Sequence, residues 1–115
     1  MASYHHSRRE VRKADLTPER QHLLAEMQRI NFGRIEGLTI HQGQLIFGPH
    51  TKIIRKIKFG GENNSRPEMT VEDFALKGEV IELFETFDRL DDGEVSIDVR
   101  YGLPFEMEVK ETVRA

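Results

Sequence analysis

Histidine is the side chain in this sequence best suited to acid–base chemistry near neutral pH. Two of the five histidines lie in predicted loops, where catalytic groups are often found: His41 at the tip of a hairpin and His50 beside Pro49. Either can serve as a general base. The neighbouring sequence supplies neither an orienting acid nor an activated nucleophile for them. A small enzyme with a histidine base is therefore one alternative reading of the chain.

Metal and cofactor chemistry have less support in the sequence. His22 and Glu26 are four residues apart and share one face of a predicted helix, which suits a metal ligand pair or an acid–base pair. No third ligand follows at a suitable spacing. The chain has no cysteine, which excludes disulfides, thiolate zinc sites and cysteine nucleophiles. We therefore predict no metal, no cofactor and no assigned catalytic residue.

The charges are unevenly distributed along the chain. Residues 1–60 carry eleven Lys and Arg against five acids, a formal +6, whereas residues 61–115 carry six against fifteen, a formal −9. Such asymmetry bears on partners and solubility rather than on fold. Either the basic half contacts a polyanion or an acidic protein, or the two halves offset each other internally or between copies of the chain.

The basic residues are the only binding candidates that the sequence offers. They fall in two groups, one near the start and one in the middle of the chain. Few aromatic residues accompany them, only Tyr4 and Phe59, so we predict weak base stacking if they bind nucleic acid. The candidates are Arg8, Arg9, Arg12, Lys13, Lys52, Arg55, Lys56 and Lys58.

The first predicted helix spans residues 17–32. Thr17 is a good N-cap, Pro18 suits the first helical position, and Gly33 follows where a left-handed residue ends a helix. An apolar stripe at helical spacing gives the helix one face to bury, formed by Leu23, Leu24, Met27 and Ile30.

Three short strands are predicted next. Residues 34–40 alternate once Gly37 is treated as a bulge, and Gly43 supplies the turn to a second strand at residues 45–47. Residues 51–59 fit either a strand or a helical turn. Their β-branched content and the following Gly60-Gly61 favour a strand whose outward face is a row of lysines.

A second helix and a hairpin complete the chain. Thr70 is predicted to cap the helix, with a staple between Met69 and Phe74, and the apolar arc continues to Leu90. Gly78 falls inside this predicted helix. Residues 95–101 and 105–110 then alternate as two strands joined by Gly102-Leu103-Pro104. The carboxylates predicted on their wet face are Glu94, Asp98, Glu106 and Glu108.

These elements predict an α+β fold with two layers, in which two helices pack on an antiparallel sheet in the order α-β-β-β-α-β-β. Residues 1–15 are predicted as a flexible basic tail and residues 16–115 as a single domain. No apolar stretch is long enough to cross a membrane, and the first residues lack the apolar segment of a secretory signal. With the absence of cysteine, this favours a cytoplasmic location.

For function, we predict a non-catalytic interaction domain that self-associates or docks on another protein. The sequence motivates this through the charge asymmetry, the scarcity of site motifs and the wide apolar arc of the second helix. Two alternatives stay open. One is a nucleic-acid-binding protein that uses the basic first half, and the other is the small enzyme with a histidine base.

Overall fold

The computed structural model describes residues 11–60, 76–111 and 113. Their helices and strands follow the predicted order α-β-β-β-α-β-β, which confirms the α+β class. A short 3₁₀ helix, Lys13–Asp15, comes before them. The elements are α1 Pro18–Ile30, β1 Gly33–His41, β2 Gln44–Ile46, β3 Lys52–Arg55, α2 Gly78–Leu90, β4 Asp92–Arg100 and β5 Leu103–Lys110.

The five strands form one antiparallel sheet in the order β2-β1-β4-β5. Strand β3 also pairs with β1, on the side that β2 occupies. The long strand β1 thus carries two short neighbours end to end, with β2 beside residues 39–41 and β3 beside residues 33–36. Strands β3 and β5 therefore lie at opposite edges of the sheet.

The predicted bulge at Gly37 is confirmed. The pairing of β1 with β4 shifts between Ile35 and Leu38, and Gly37 adopts a left-handed φ of 74°. The hydroxyl of Thr51 donates a 3.0 Å hydrogen bond to the Gly37 carbonyl, and the Gly48 N–H donates to the same hydroxyl oxygen. The bulge thereby holds the β2–β3 connection against β1.

The core lies between the two helices and one face of the sheet. Helix α1 contributes the stripe predicted from its sequence, and α2 contributes most of its predicted arc. The sheet adds its inward-facing residues from β1, β2 and β4. Buried apolar residues are Leu23, Leu24, Met27, Ile30, Ile35, Leu38, Ile40, Leu45, Val80, Leu83, Phe84, Phe87, Val95, Ile97 and Val99.

The start of the second helix differs from the prediction. Helix α2 begins at Gly78, so this glycine is its first residue rather than an interior one. Lys77 is extended, with φ −75° and ψ 156°, and the Leu76 N–H donates to the Val11 carbonyl. Because Leu76 packs on the core from an extended segment, the helix does not continue backward through it. The predicted cap Thr70 and the staple of Met69 with Phe74 lie outside the described residues.

The turn of the C-terminal hairpin also differs from the prediction. It consists of Tyr101 and Gly102, both with positive φ, while Leu103 and Pro104 belong to β5. The β1–β2 hairpin uses the same two-residue form at Gln42 and Gly43. Such turns match the twist of the strands they join. The shorter turn leaves Leu103 in the strand, where it packs against the core.

The ambiguous segment of residues 51–59 contains a strand, as favoured, but a short one. Strand β3 covers only Lys52–Arg55, and all four of its residues are exposed. Ile53 and Ile54 point to opposite faces of the strand, yet they are 37% and 43% exposed. Neither face of β3 is therefore well covered by the rest of the chain.

Candidate interaction surface

In the folded chain His41 lies next to a carboxylate that could orient it, although that carboxylate is distant from it in sequence. Its Nδ1 lies 3.0 Å from Oδ1 of Asp92, which begins the neighbouring strand β4. Both side chains are 63% exposed, so water reaches the pair freely. Catalytic sites are normally concave and partly closed to water. The second candidate base, His50, is also exposed, and the histidine-base function stays a hypothesis.

The predicted pair of His22 and Glu26 forms on the surface of α1. Nε2 of His22 lies 3.2 Å from Glu26, Arg29 donates to the other oxygen of Glu26, and the His22 ring stacks on Phe47. Within residues 11–60 and 76–111, no three His, Asp or Glu side chains are grouped to hold a metal ion. The pair is therefore part of a row of surface contacts that runs from Arg29 through Glu26 and His22 to Phe47 and stabilises α1.

Arg20 is a basic residue with a structural task. Its guanidinium donates to Oδ1 of Asp88 at 2.6 Å and to the Gly43 carbonyl at 3.2 Å, and it lies over the rings of Phe84 and Phe87. The side chain is only 14% exposed. It connects α1 to α2 and to the β1–β2 hairpin, and its charge is paired with Asp88 within the domain.

Arg34 is the centre of an ion-pair network on the face of the sheet that carries no helix. It donates to Asp98 at 2.7 Å, Glu108 at 2.6 Å and Glu36 at 3.0 Å. The hydrogen bonds to Asp98 and then Glu108 raise the pKa of Arg34 above its ordinary value. Arginine is charged at all accessible pH values, so the network keeps its cation throughout. It ties β1 to β4 and β5.

Replacing Arg34 with methionine is expected to lower the free energy of unfolding by about 1–3 kcal/mol, since three carboxylates lose their shared partner. Urea denaturation at low salt measures this loss, and added salt should reduce it by screening the remaining carboxylates. Arg55→Met is the matched control and should change stability by less than about 0.5 kcal/mol. A similar loss of stability in both variants would contradict the stabilising role of the Arg34 ion-pair network.

The predicted basic residues of the middle segment gather at one edge of the sheet. We call Lys52, Arg55, Lys56 and Lys58 the cationic edge. Among the described residues, no carboxylate lies within 4.0 Å of Lys52, Arg55 or Lys56. Glu36 pairs with Lys52 in the strand register, but its carboxylate bonds to Arg34 instead. Lys52, Arg55 and Lys56 thus have no carboxylate partner within the described part of the chain.

The remaining predicted binding residues are placed elsewhere. Arg12 and Lys13 precede α1, and the carbonyl of Val11 beside them accepts a hydrogen bond from Leu76 just before α2. The hydrogen bond from Leu76 therefore positions residues 11–13 beside the start of α2, while pairing with β1 positions the cationic edge. Arg8 and Arg9 lie outside the described residues. A binding role for all eight residues remains a prediction.

Carboxylates occupy the opposite edge of the sheet. Strand β5 packs beside α2, where a shallow depression of about 220 Å³ is lined by residues of both elements. Three of the lining residues, Glu79, Glu82 and Glu106, define what we call the acidic edge. Three strand spacings, or about 14 Å, separate the two edges. Glu79 and Glu82 lie on the far side of the sheet from the cationic edge, whereas Glu106 also lines a groove that contains Lys56 and Lys58.

Aromatic residues that are distant in sequence lie beside the lysines in the fold. Phe32, Tyr101 and Phe105 line a groove of about 700 Å³ together with Lys56 and Lys58. The expectation of few aromatic neighbours is therefore wrong for the folded chain. It counted only residues close in sequence, whereas two of these aromatics come from the distant β4–β5 hairpin.

Comparisons with known proteins do not assign a function. No family model matches the chain, and neither the curated proteins nor the solved structures gave a significant match. Within the described part of the chain, neither helix has the length and apolar character needed to cross a bilayer.

Proposed function

We propose that this protein is a non-catalytic interaction domain that self-associates, with the cationic edge of one copy on the acidic edge of the next. One observation supports this most: cations lie on strand β3 and the segment after it at one edge of the antiparallel sheet, and carboxylates of strand β5 and the adjacent helix α2 lie at the other edge. Other cations of the first half, such as Arg20 and Arg34, are already bound to carboxylates within the domain.

Both edges offer backbone groups that can extend the sheet. Strands β3 and β5 end the strand order among the described residues, so one side of each has no neighbouring strand. Such edges pair readily with a further strand. Exposed apolar side chains lie along both, with Ile53 and Ile54 on β3 and Phe105 and Val109 on β5. Burying them would add to the charge attraction.

The charges favour only one of the possible edge pairings. Two cationic edges repel each other, as do two acidic edges, which is how charged edge strands normally prevent association. A cationic edge against an acidic edge is attractive instead. Because these are different surfaces of the same chain, the contact is head-to-tail and builds rings or open filaments.

Charge reversal tests the proposal. The variants are Lys52→Glu with Arg55→Glu, and Glu82→Lys with Glu106→Lys. We expect wild type to associate in about 20 mM salt and to dissociate in about 500 mM, where the Debye length falls to roughly 4 Å. Lys52→Glu with Arg55→Glu takes the four residues of the cationic edge from +4 to 0, and Glu82→Lys with Glu106→Lys takes the three residues of the acidic edge from −3 to +1. Each double variant therefore loses the attraction between its own two edges and should be monomeric. An equimolar mixture should associate again, because each variant then meets its opposite. Sedimentation velocity measures all four cases.

Lys13→Glu is the control. It changes the net charge in the 3₁₀ helix before α1, away from both edges, and should leave association intact. Circular dichroism confirms that each variant is folded. A wild-type chain that is monomeric at both salt concentrations would contradict the proposal. So would a mixture of the two double variants that stays monomeric, since that would move any association to another surface.

A further inference from the structure

A groove at one end of the sheet combines cations with aromatic rings. It lies between Phe32, which precedes β1, the segment that follows β3, and the turn of the β4–β5 hairpin. Its volume of about 700 Å³ falls in the range of small-ligand sites. The chemically distinctive lining residues are Phe32, Lys56, Lys58, Arg100, Tyr101 and Phe105.

The rings and cations of the groove are arranged against each other. Nζ of Lys58 lies 4.5 Å from the centre of the Phe32 ring, and Cζ of Arg100 lies 3.8 Å from the centre of the Phe105 ring. Tyr101 packs edge-on against Phe32, with 4.8 Å between the ring centres. These contacts fix the cations at the wall of the groove, where a bound anion can reach them.

The balance of charge in the groove favours an anion. Besides Lys58, which lies over the Phe32 ring, two cations, Lys56 and Arg100, line it together with two carboxylates, Asp98 and Glu106. Asp98 is already bound to Arg34 at 2.7 Å, so its charge is offset within the sheet. Glu106 is the remaining opposing charge. A ligand that carries a phosphate is therefore attracted to the side formed by Lys56 and Arg100.

Tyr101 supplies an exposed ring at a position where the backbone does not require one. It is 61% exposed and has a φ of 55° in a turn whose first residue is most often Asn, Asp or Gly. The other hairpin turn of the sheet uses Gln42 at this place. A large aromatic side chain at such a position suits contact with a ligand better than it suits the turn.

We infer that the groove binds a nucleotide, with the base stacked on Tyr101 and the phosphate held by Lys56 and Arg100. Stacking on aromatic and arginine planes together with backbone cations is the usual means of holding unpaired nucleotides. The nucleotide can be free or part of a single strand. The groove shares Lys56 and Lys58 with the cationic edge and Glu106 with the acidic edge, but a monomer carries the whole groove, so nucleotide binding does not require self-association.

Fluorescence anisotropy with a labelled single-stranded oligonucleotide tests the inference, with adenosine monophosphate, inorganic phosphate and the matching duplex as competitors. We expect the single strand to bind, and Tyr101→Asn to weaken it at least about tenfold. Asparagine suits the turn, so the variant should stay folded, with its thermal midpoint as the check. Lys56→Ala should weaken binding and lower its salt dependence. Phe59→Ala, which changes an aromatic residue that does not line the groove, should bind like wild type.

The competitors identify the source of the ligand. Full competition by the mononucleotide points to a free nucleotide, and competition by the single strand alone points to nucleic acid; both support the groove. Three results would overturn it. The first is that neither the labelled single strand nor adenosine monophosphate binds. The second is that folded Tyr101→Asn binds as tightly as wild type. The third is that duplex or inorganic phosphate competes as well as the unlabelled single strand, because neither presents an unpaired base.

Discussion

Replacing Phe87 with alanine is expected to lower the free energy of unfolding by about 3–5 kcal/mol. Phe87 is fully buried, its ring packs against Phe84, and the guanidinium of Arg20 lies 5.8 Å from its centre. Alanine removes most of this apolar contact and leaves a cavity between α2 and the sheet. A domain of this size has about 5–15 kcal/mol in total, so the variant should unfold at clearly lower urea concentration.

Phe59→Ala is the matched control for this measurement. The same atoms are removed, but Phe59 is 93% exposed, so stability should change by less than about 0.5 kcal/mol. Equal urea midpoints for wild type and Phe87→Ala would refute the position of this ring in the core. A loss for Phe59→Ala as large as that for Phe87→Ala would refute the exposure of residue 59.

Gly37→Ala is expected to cost about 2–4 kcal/mol and to displace the cationic edge. Alanine tolerates a φ of 74° poorly, and its Cβ would overlap the carbonyl oxygen of His50. Because both are backbone constraints, no side-chain rotation relieves them. The Thr51 bond to the Gly37 carbonyl would also be strained, and that bond positions the chain entering β3. Association measured by sedimentation should therefore weaken together with stability.

Gly48→Ala separates a specific requirement for glycine from a general effect of alanine. No atom lies within 4 Å of the position that its Cβ would take, and its φ is not positive. We expect a change of less than about 0.5 kcal/mol in unfolding free energy and unaltered association. A Gly37→Ala variant as stable as Gly48→Ala would show that the bulge accepts a side chain.

Local signals predicted the parts of the fold that depend on local chemistry. Thr17 accepts a hydrogen bond from the Arg20 N–H as the N-cap of α1, and Gly43 closes the first hairpin. Gly37 marks the bulge. Each of these features depends on the conformational preference of one or two residues. The predicted start of α2 was too early, because the capping signal near Thr70 outweighed the partly buried Leu76 and the extended Lys77 before Gly78.

The sequence predicted the basic residues of the interaction surface but not the partners and aromatic residues that surround them. The basic residues after position 51 were identified because they lie within seven residues of each other. Only Glu36 among the three partners of Arg34 is close in sequence, whereas Asp98 and Glu108 stand 64 and 74 residues away, so most of this network is not visible locally. In the same way, Tyr101 and Phe105 reach the lysines only because β1 pairs with both β3 and β4.

The amino-acid order alone set the helices, the strand alternation and the opposite net charges of the two halves, because these follow from side-chain type and short-range periodicity. The tertiary structure decided which charges neutralise each other and which remain at an edge. Strand pairing brings distant residues within a few ångströms, and Coulomb and hydrogen-bond energies depend on those distances. The positions of the cationic edge, the acidic edge and the aromatic groove are therefore consequences of the sheet order.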